Sequence, residues 1–181
     1  MYIWTALDVS DALSSLRERA ALENAAIGLS EVAFTLPAHI SLKISFSVAD
    51  ALTERVMARL MDFLKKQPIR SVRVRGIEQN GGILWVRMAD ETWLSQLHQE
   101  LDEMLFSEFS VEQHPFDRAF CFHATLFLDS DRDKAALMKK ALSDARLPDS
   151  ITPSGYLIGV SSEGTAGSYR VACELKGEIA V

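Results

Sequence analysis

The sequence predicts an α+β protein made of two similar halves. Each half is a small, mainly antiparallel sheet with helices outside, and the two sheets face each other across a central cleft. Three observations predict it. Strand and helix periodicities run in the order β-α-β-α-β, then β-α-β-α-β-β. One strand in each half, residues 38–48 and 120–127, has an apolar face backed by a polar face carrying a histidine and, two residues on, a hydroxyl. Landmarks also recur at similar separations: His39 and His123 are 84 residues apart, Trp4 and Trp85 are 81.

The elements follow in order. Ile3, Thr5, Leu7 and Val9 alternate with Tyr2, Trp4, Ala6 and Asp8, which is a strand. Ser10 or Asp11 caps a helix to about Ile27, with Leu13, Leu16 and Ala20 near helical spacing and Gly28 as the stop. The His39 strand is next. Asp50 starts a second helix along Leu52, Val56, Leu60 and Leu64, and Pro68 ends it. Residues 69–77 form a strand, and Asn80-Gly81-Gly82 is a turn. The pattern then restarts with a strand at 83–88 and a helix from Asp90 or Thr92 to Phe106. The His123 strand follows, then a helix from Asp131 or Asp133 that Pro148 breaks, and strands at about 154–161 and 169–175. The whole chain, 1–181, reads as one domain. Its halves, about 1–79 and 83–181, divide at the Asn80 turn and are each too small to stand alone.

Of the 181 residues, 48% are hydrophobic and 24% charged, an ordinary globular balance. The net charge of −6 argues against a broad, non-specific nucleic-acid binder and favours a small nucleotide or an RNA end. No stretch is long and apolar enough for a membrane, and the first residues read as a strand rather than a leader. Two cysteines, Cys121 and Cys173, make no disulfide framework, so a reducing cytoplasm is expected. No metal-ligand spacing, phosphate-cradling glycine loop or dinucleotide fingerprint is present, so no cofactor is expected and an ATP-dependent ligase is disfavoured.

Two histidines can divide acid and base work. A neutral imidazole takes a proton from an attacking hydroxyl while a protonated one gives a proton to a leaving oxygen. Hydroxyls beside them can hold the oxygens of a phosphate. One His-x-Ser on a strand means little; two copies on matched strands are a candidate site, His39 with Ser41 and His123 with Thr125. Counting by two puts Lys43 on the same face, where it can neutralise phosphate charge. Trp4 and Trp85 are candidates to stack on a base or to pad the interface between halves, and Arg87, Arg73 and Arg75 are further candidate cations. Cys121 either faces the cleft or is a small buried thiol. His98 and His114 read as surface residues.

His39-Ile40-Ser41-Leu42 and His123-Ala124-Thr125-Leu126 resemble the two signature motifs of the 2H phosphoesterase superfamily. Within it the chain is most similar to the LigT branch, the 2′-5′ RNA ligase and RNA 2′,3′-cyclic phosphodiesterase family. Ser41 stands where threonine is commoner, and Phe46-Ser47 and Leu128-Asp129 stand where a glycine often follows. The resemblance implies a bilobal α+β fold and metal-independent hydrolysis of a 2′,3′-cyclic phosphate on an RNA end or a small cyclic nucleotide. It also implies the reverse option, an ATP-independent 2′-5′ ligase. A module that binds such an end without cleaving it is the alternative from another class. The chain is expected to act as a monomer. Which histidine is acid and which base stays open.

Overall fold

The computed structural model describes residues 1–29 and 31–177. The strands are β1 (Tyr2–Asp8), β2 (His39–Ser47), β3 (Val72–Asn80), β4 (Ile83–Met88), β5 (His123–Leu128), β6 (Ser150–Ile151), β7 (Gly155–Ser161) and β8 (Arg170–Lys176). The helices are α1 (Ser14–Ile27), α2 (Thr53–Leu64), α3 (Thr92–Phe109) and α4 (Arg132–Ala141), with short 3₁₀ turns before β2, α2 and β5. Gly28 ends α1 in the left-handed conformation at φ 73°, its N–H on the carbonyls of Asn24 and Ala25. Asp131 caps α4 by accepting from the Asp133 N–H at 2.8 Å. α3 runs three residues past its expected end and stops at Ser110, also left-handed at φ 56°.

The structure has one antiparallel sheet of eight strands in place of the two facing sheets expected. Its order is β6-β3-β4-β5-β2-β1-β7-β8. The halves meet edge to edge, because β2 and β5 pair directly through Ile40 and Ala124. Two apolar residues flanked by histidines and hydroxyls thus become a seam rather than two walls. Strands are also traded between halves: β3 pairs with β4, and β7 with β1. The turn at 80–82 accordingly joins neighbouring strands of one wing.

One face of this sheet is covered by helices. Ile3, Leu7, Ile40, Leu42, Leu84, Val86, Ala124 and Phe127 pack with Leu16, Val56, Leu60, Leu97, Leu101 and Met138 in one continuous core. α3 lies against β2, α2 against β7, and α4 against β3, β4 and β5. The opposite face carries a smaller apolar cluster of Trp4, Ala6 and Leu157, edged by Leu36, Tyr169 and Val171. That face holds the histidines. No described helix is long and apolar enough to cross a membrane.

Candidate active site

Alternation along β2 and β5 sends Ile40 and Ala124 into the core, each fully buried, and leaves His39, Ser41, His123 and Thr125 half-buried on the other face. The Ile40–Ala124 pairing is antiparallel. Continued one residue either way, it sets His39 across from Thr125 and Ser41 across from His123.

Both rings are held alike. His39 Nδ1 lies 2.8 Å from the Pro37 carbonyl, and His123 Nδ1 lies 2.6 Å from the Cys121 carbonyl. A carbonyl only accepts, so these contacts put the proton on Nδ1 and the lone pair on Nε2. Each ring also rests on a tryptophan: Trp4 under His39 with centroids 4.7 Å apart, and Trp85 under His123 at 4.2 Å. Burial pulls both imidazoles below their ordinary value. Arg17 and His123 push His39 the same way, while its Pro37 contact and Asp8 oppose. For His123 the Cys121 carbonyl opposes burial and Arg87 adds to it.

The other candidates divide. Trp4 and Trp85 are on the histidine face but only 5% and 8% exposed, so they are floors for the two rings rather than open platforms for a base. Arg87 is the ladder partner of His123 and is tied to Asp90 at 2.9 Å and to the Cys121 sulfur. Cys121 is half-buried, and burial pushes its thiol up. Arg73 and Arg75 are exposed, paired with Glu91 at 2.8 Å and Asp90 at 3.9 Å. His114 is exposed, as expected, and its Nδ1 accepts from the Phe116 N–H.

Lys43 is not on the histidine face. Ala6 pairs with Ser41 but Thr5 pairs with Lys43, so Leu42 is an extra residue in the ladder. The bulge reverses the alternation and turns Lys43 into the core, 1% exposed, against Asp102 and Asp117. The same bulge follows the other motif. Trp85 pairs with Thr125 and Leu84 with Phe127, skipping Leu126, so Phe127 is core as well. His98, read as a surface residue, is 4% exposed in the same cluster as Lys43.

Three neighbours of the site escaped the sequence reading. Asp8 is the ladder partner of His39, a position its alternation with Trp4 and Ala6 already marked. Arg17 reaches from α1 to the carbonyls of Ala33 and Leu36 at 3.2 and 2.9 Å, with no local signal for it. Tyr169 leads into β8, and its hydroxyl reaches Ser45. A cavity of about 580 Å³ opens off the far end of β2 among Ser45, Ser47, Gln113 and His114 and takes in neither His39 nor His123.

Two histidines, each held at Nδ1 by the carbonyl two residues before it, lie on one face of the sheet, one on each strand of the β2–β5 seam. Residues 5–154 match the family model described as the 2′-5′ RNA ligase superfamily. The chain belongs to that superfamily, the LigT-like 2H phosphoesterases. Solved structures agree on the fold. TT0787 of Thermus thermophilus is 13% identical with a TM-score of 0.61, covering 100% of both chains. A structure described as a phosphoesterase is 18% identical at 0.60, covering 97% of each. Escherichia coli LigT complexed with 3′-AMP is 17% identical at 0.57, again 97% of each. Among curated proteins, none matches the chain in sequence.

Proposed function

We propose that this protein is a cyclic phosphodiesterase that opens 2′,3′-cyclic phosphates on RNA ends or small nucleotides by two-histidine acid–base catalysis without a metal. The observation that carries the reading is the seam itself: β2 and β5 pair at Ile40 and Ala124, and the histidines flanking that pair are both held at Nδ1 by a carbonyl, which leaves Nε2 for chemistry. One histidine, neutral, takes a proton from water as its oxygen bonds to phosphorus. The other, protonated, gives its proton to the ribose oxygen as the phosphorus–oxygen bond breaks. The two histidines end with exchanged protonation states, which solvent restores. Ser41 and Thr125 donate to the non-bridging oxygens, bonds that strengthen as charge builds there. Burial of both rings keeps a neutral base available near neutral pH.

An RNA 5′-hydroxyl in place of water gives the 2′-5′ ligation that the family name carries, by the same proton transfers and without ATP. The test is incubation, in EDTA, with each nucleoside 2′,3′-cyclic monophosphate and with a short RNA ending in a 2′,3′-cyclic phosphate, beside His39→Ala/His123→Ala. Conversion by the wild type alone is the expected result, and the product phosphate's position shows which ribose oxygen left. Joining of a 5′-hydroxyl RNA in preference to hydrolysis moves the assignment to ligase. Tight binding with no product overturns catalysis in favour of a reader of such ends.

A further inference from the structure

Lys43, His98, Asp102 and Asp117 make a buried cluster behind the seam that the proposed chemistry does not use. The Lys43 ammonium lies 2.7 Å from Asp102 Oδ1 and also contacts Asp117 Oδ2. His98 Nδ1 is 2.6 Å from the Leu42 carbonyl, and its Nε2 is 3.1 Å from the Asp117 carbonyl. A neutral ring can donate to one of those carbonyls, a ring carrying both protons to both. Gln113 donates to Asp102 Oδ2 at 3.1 Å, and the His114 N–H donates to Asp117 Oδ2 at 2.8 Å. His98, Asp102 and Asp117 have ligand atoms within 4.8 Å of one another, the spacing of a metal site. The Lys43 ammonium already stands against both carboxylates, so the cluster supplies its own cation.

The placement of these four residues ties the two motifs together. Leu42 is the bulge residue three positions after His39, and Asp117 is six before His123. One imidazole bridges the backbone at both points, and Phe120, on the path to β5, stacks on it at 4.3 Å. The direct link between β2 and β5 is the single ladder position at Ile40 and Ala124. In the other half the equivalent of Lys43, four residues after the histidine and past the same bulge, is Phe127, which simply fills the core.

We infer that Lys43, His98, Asp102 and Asp117 are positioning residues: a charged clamp that sets the separation and aim of the two catalytic motifs across a seam too narrow to do so alone. The inference rests on the phosphoesterase reading of the site. Reactions of this kind lose about 10²-fold when a reacting group is misplaced by about 1 Å, so a loosened clamp reads out in kcat.

The experiment uses Lys43→Met/Asp102→Asn/Asp117→Asn, which removes the buried charges together and keeps the shape and the Asp117 cap, and His98→Gln, whose amide reaches one carbonyl. Melting curves and steady-state kinetics on a 2′,3′-cyclic nucleotide are run with NMR of the His39 and His123 rings during titration with inorganic phosphate. The expected result is a folded triple variant with kcat down at least ~10-fold and KM within about threefold. Wild-type kcat in the folded triple variant overturns the clamp; should that variant not fold, His98→Gln decides by the same criterion. If the wild type turns over no cyclic phosphate, the proposed function fails and the phosphate titration decides the clamp. Both rings responding in the wild type and one in the variants supports it; identical responses, or none in the wild type, overturn it.

Discussion

Gly159→Ala tests the floor beneath His39. Gly159 on β7 is the ladder partner of Trp4, and the indole lies directly over it. A Cβ there would stand 2.1 Å from Trp4 Nε1, 2.3 Å from Cε2 and 2.6 Å from Cζ2, where ordinary contact begins near 3.4 Å. The ring must therefore move about 1.3 Å off Gly159, and it carries the His39 ring, whose centroid is 4.7 Å from its own. Overpacking of this kind costs about 1–3 kcal/mol, or roughly 2–4 °C in Tm per kcal/mol for a chain of this size. A catalytic ring displaced by about 1 Å loses on the order of 10² in rate. The expected outcome is a folded protein, slightly less stable, with kcat on a 2′,3′-cyclic nucleotide down about 10–100-fold. The smaller ring of Trp4→Phe should absorb the new methyl. In the double-mutant cycle Gly159→Ala should then cost less kcat on the Phe background than on the wild type. Undiminished kcat in Gly159→Ala, or strict additivity with Trp4→Phe, refutes the reasoning.

His39→Ala and His123→Ala should each lower kcat by about 10²–10⁴-fold with melting temperatures near wild type; a variant that keeps normal turnover removes that residue from the chemistry. Thr125→Val, which keeps the shape and loses the donor, should lower kcat by about 10²–10³-fold with little change in KM, and an effect confined to KM would contradict a transition-state role. Turnover should continue undiminished after dialysis against EDTA, and loss restored by a divalent cation would replace the mechanism. Burial lowers the folded-state values of both paired histidines, so the unfolded chain binds protons more readily than the folded one. Their contribution to stability is present above about pH 6.5 and is lost as pH falls through their folded values. Chemical denaturation across that range should show the acid-side slope weakened in His39→Ala/His123→Ala, and an unchanged slope counts against it.

The motifs were legible because alternation holds where they lie: Ile40 and Ala124 are core, and His39, Ser41, His123 and Thr125 are opposite. It failed two residues further on. A bulge is one extra residue with no composition of its own, so counting by two carried Lys43 to the wrong face. Trp4 and Trp85 match by spacing, but the ladder matches Asp8 with Arg87, across from His39 and His123. The helices were found from apolar spacing, and α1 stops at Gly28 as expected, but α1 starts at Ser14 behind Leu13 with no side-chain cap from Ser10 or Asp11, and α4 ends at Ala141, well short of Pro148. The joining of the halves into one sheet was not legible, because apolar-backed strands read the same whether they pair at an edge or face one another. His98 was misread because its partners are carbonyls of Leu42 and Asp117, distant in sequence and carrying no side-chain signal.

The antiparallel seam between β2 and β5 has a local dyad passing between Ile40 and Ala124. It exchanges His39 with His123 and Ser41 with Thr125, as an isologous contact exchanges two identical subunits. In the proposed reaction a phosphate on that axis would meet the same pair of groups from either side, so the dyad by itself gives that reaction no direction. Direction must come from where the symmetry breaks. Asp8 stands beside His39 where Arg87 stands beside His123, and Lys43 lies behind one motif where Phe127 lies behind the other. Exchanging those residues between the halves, with every histidine and hydroxyl left in place, is therefore the change that should reverse the polarity of the site.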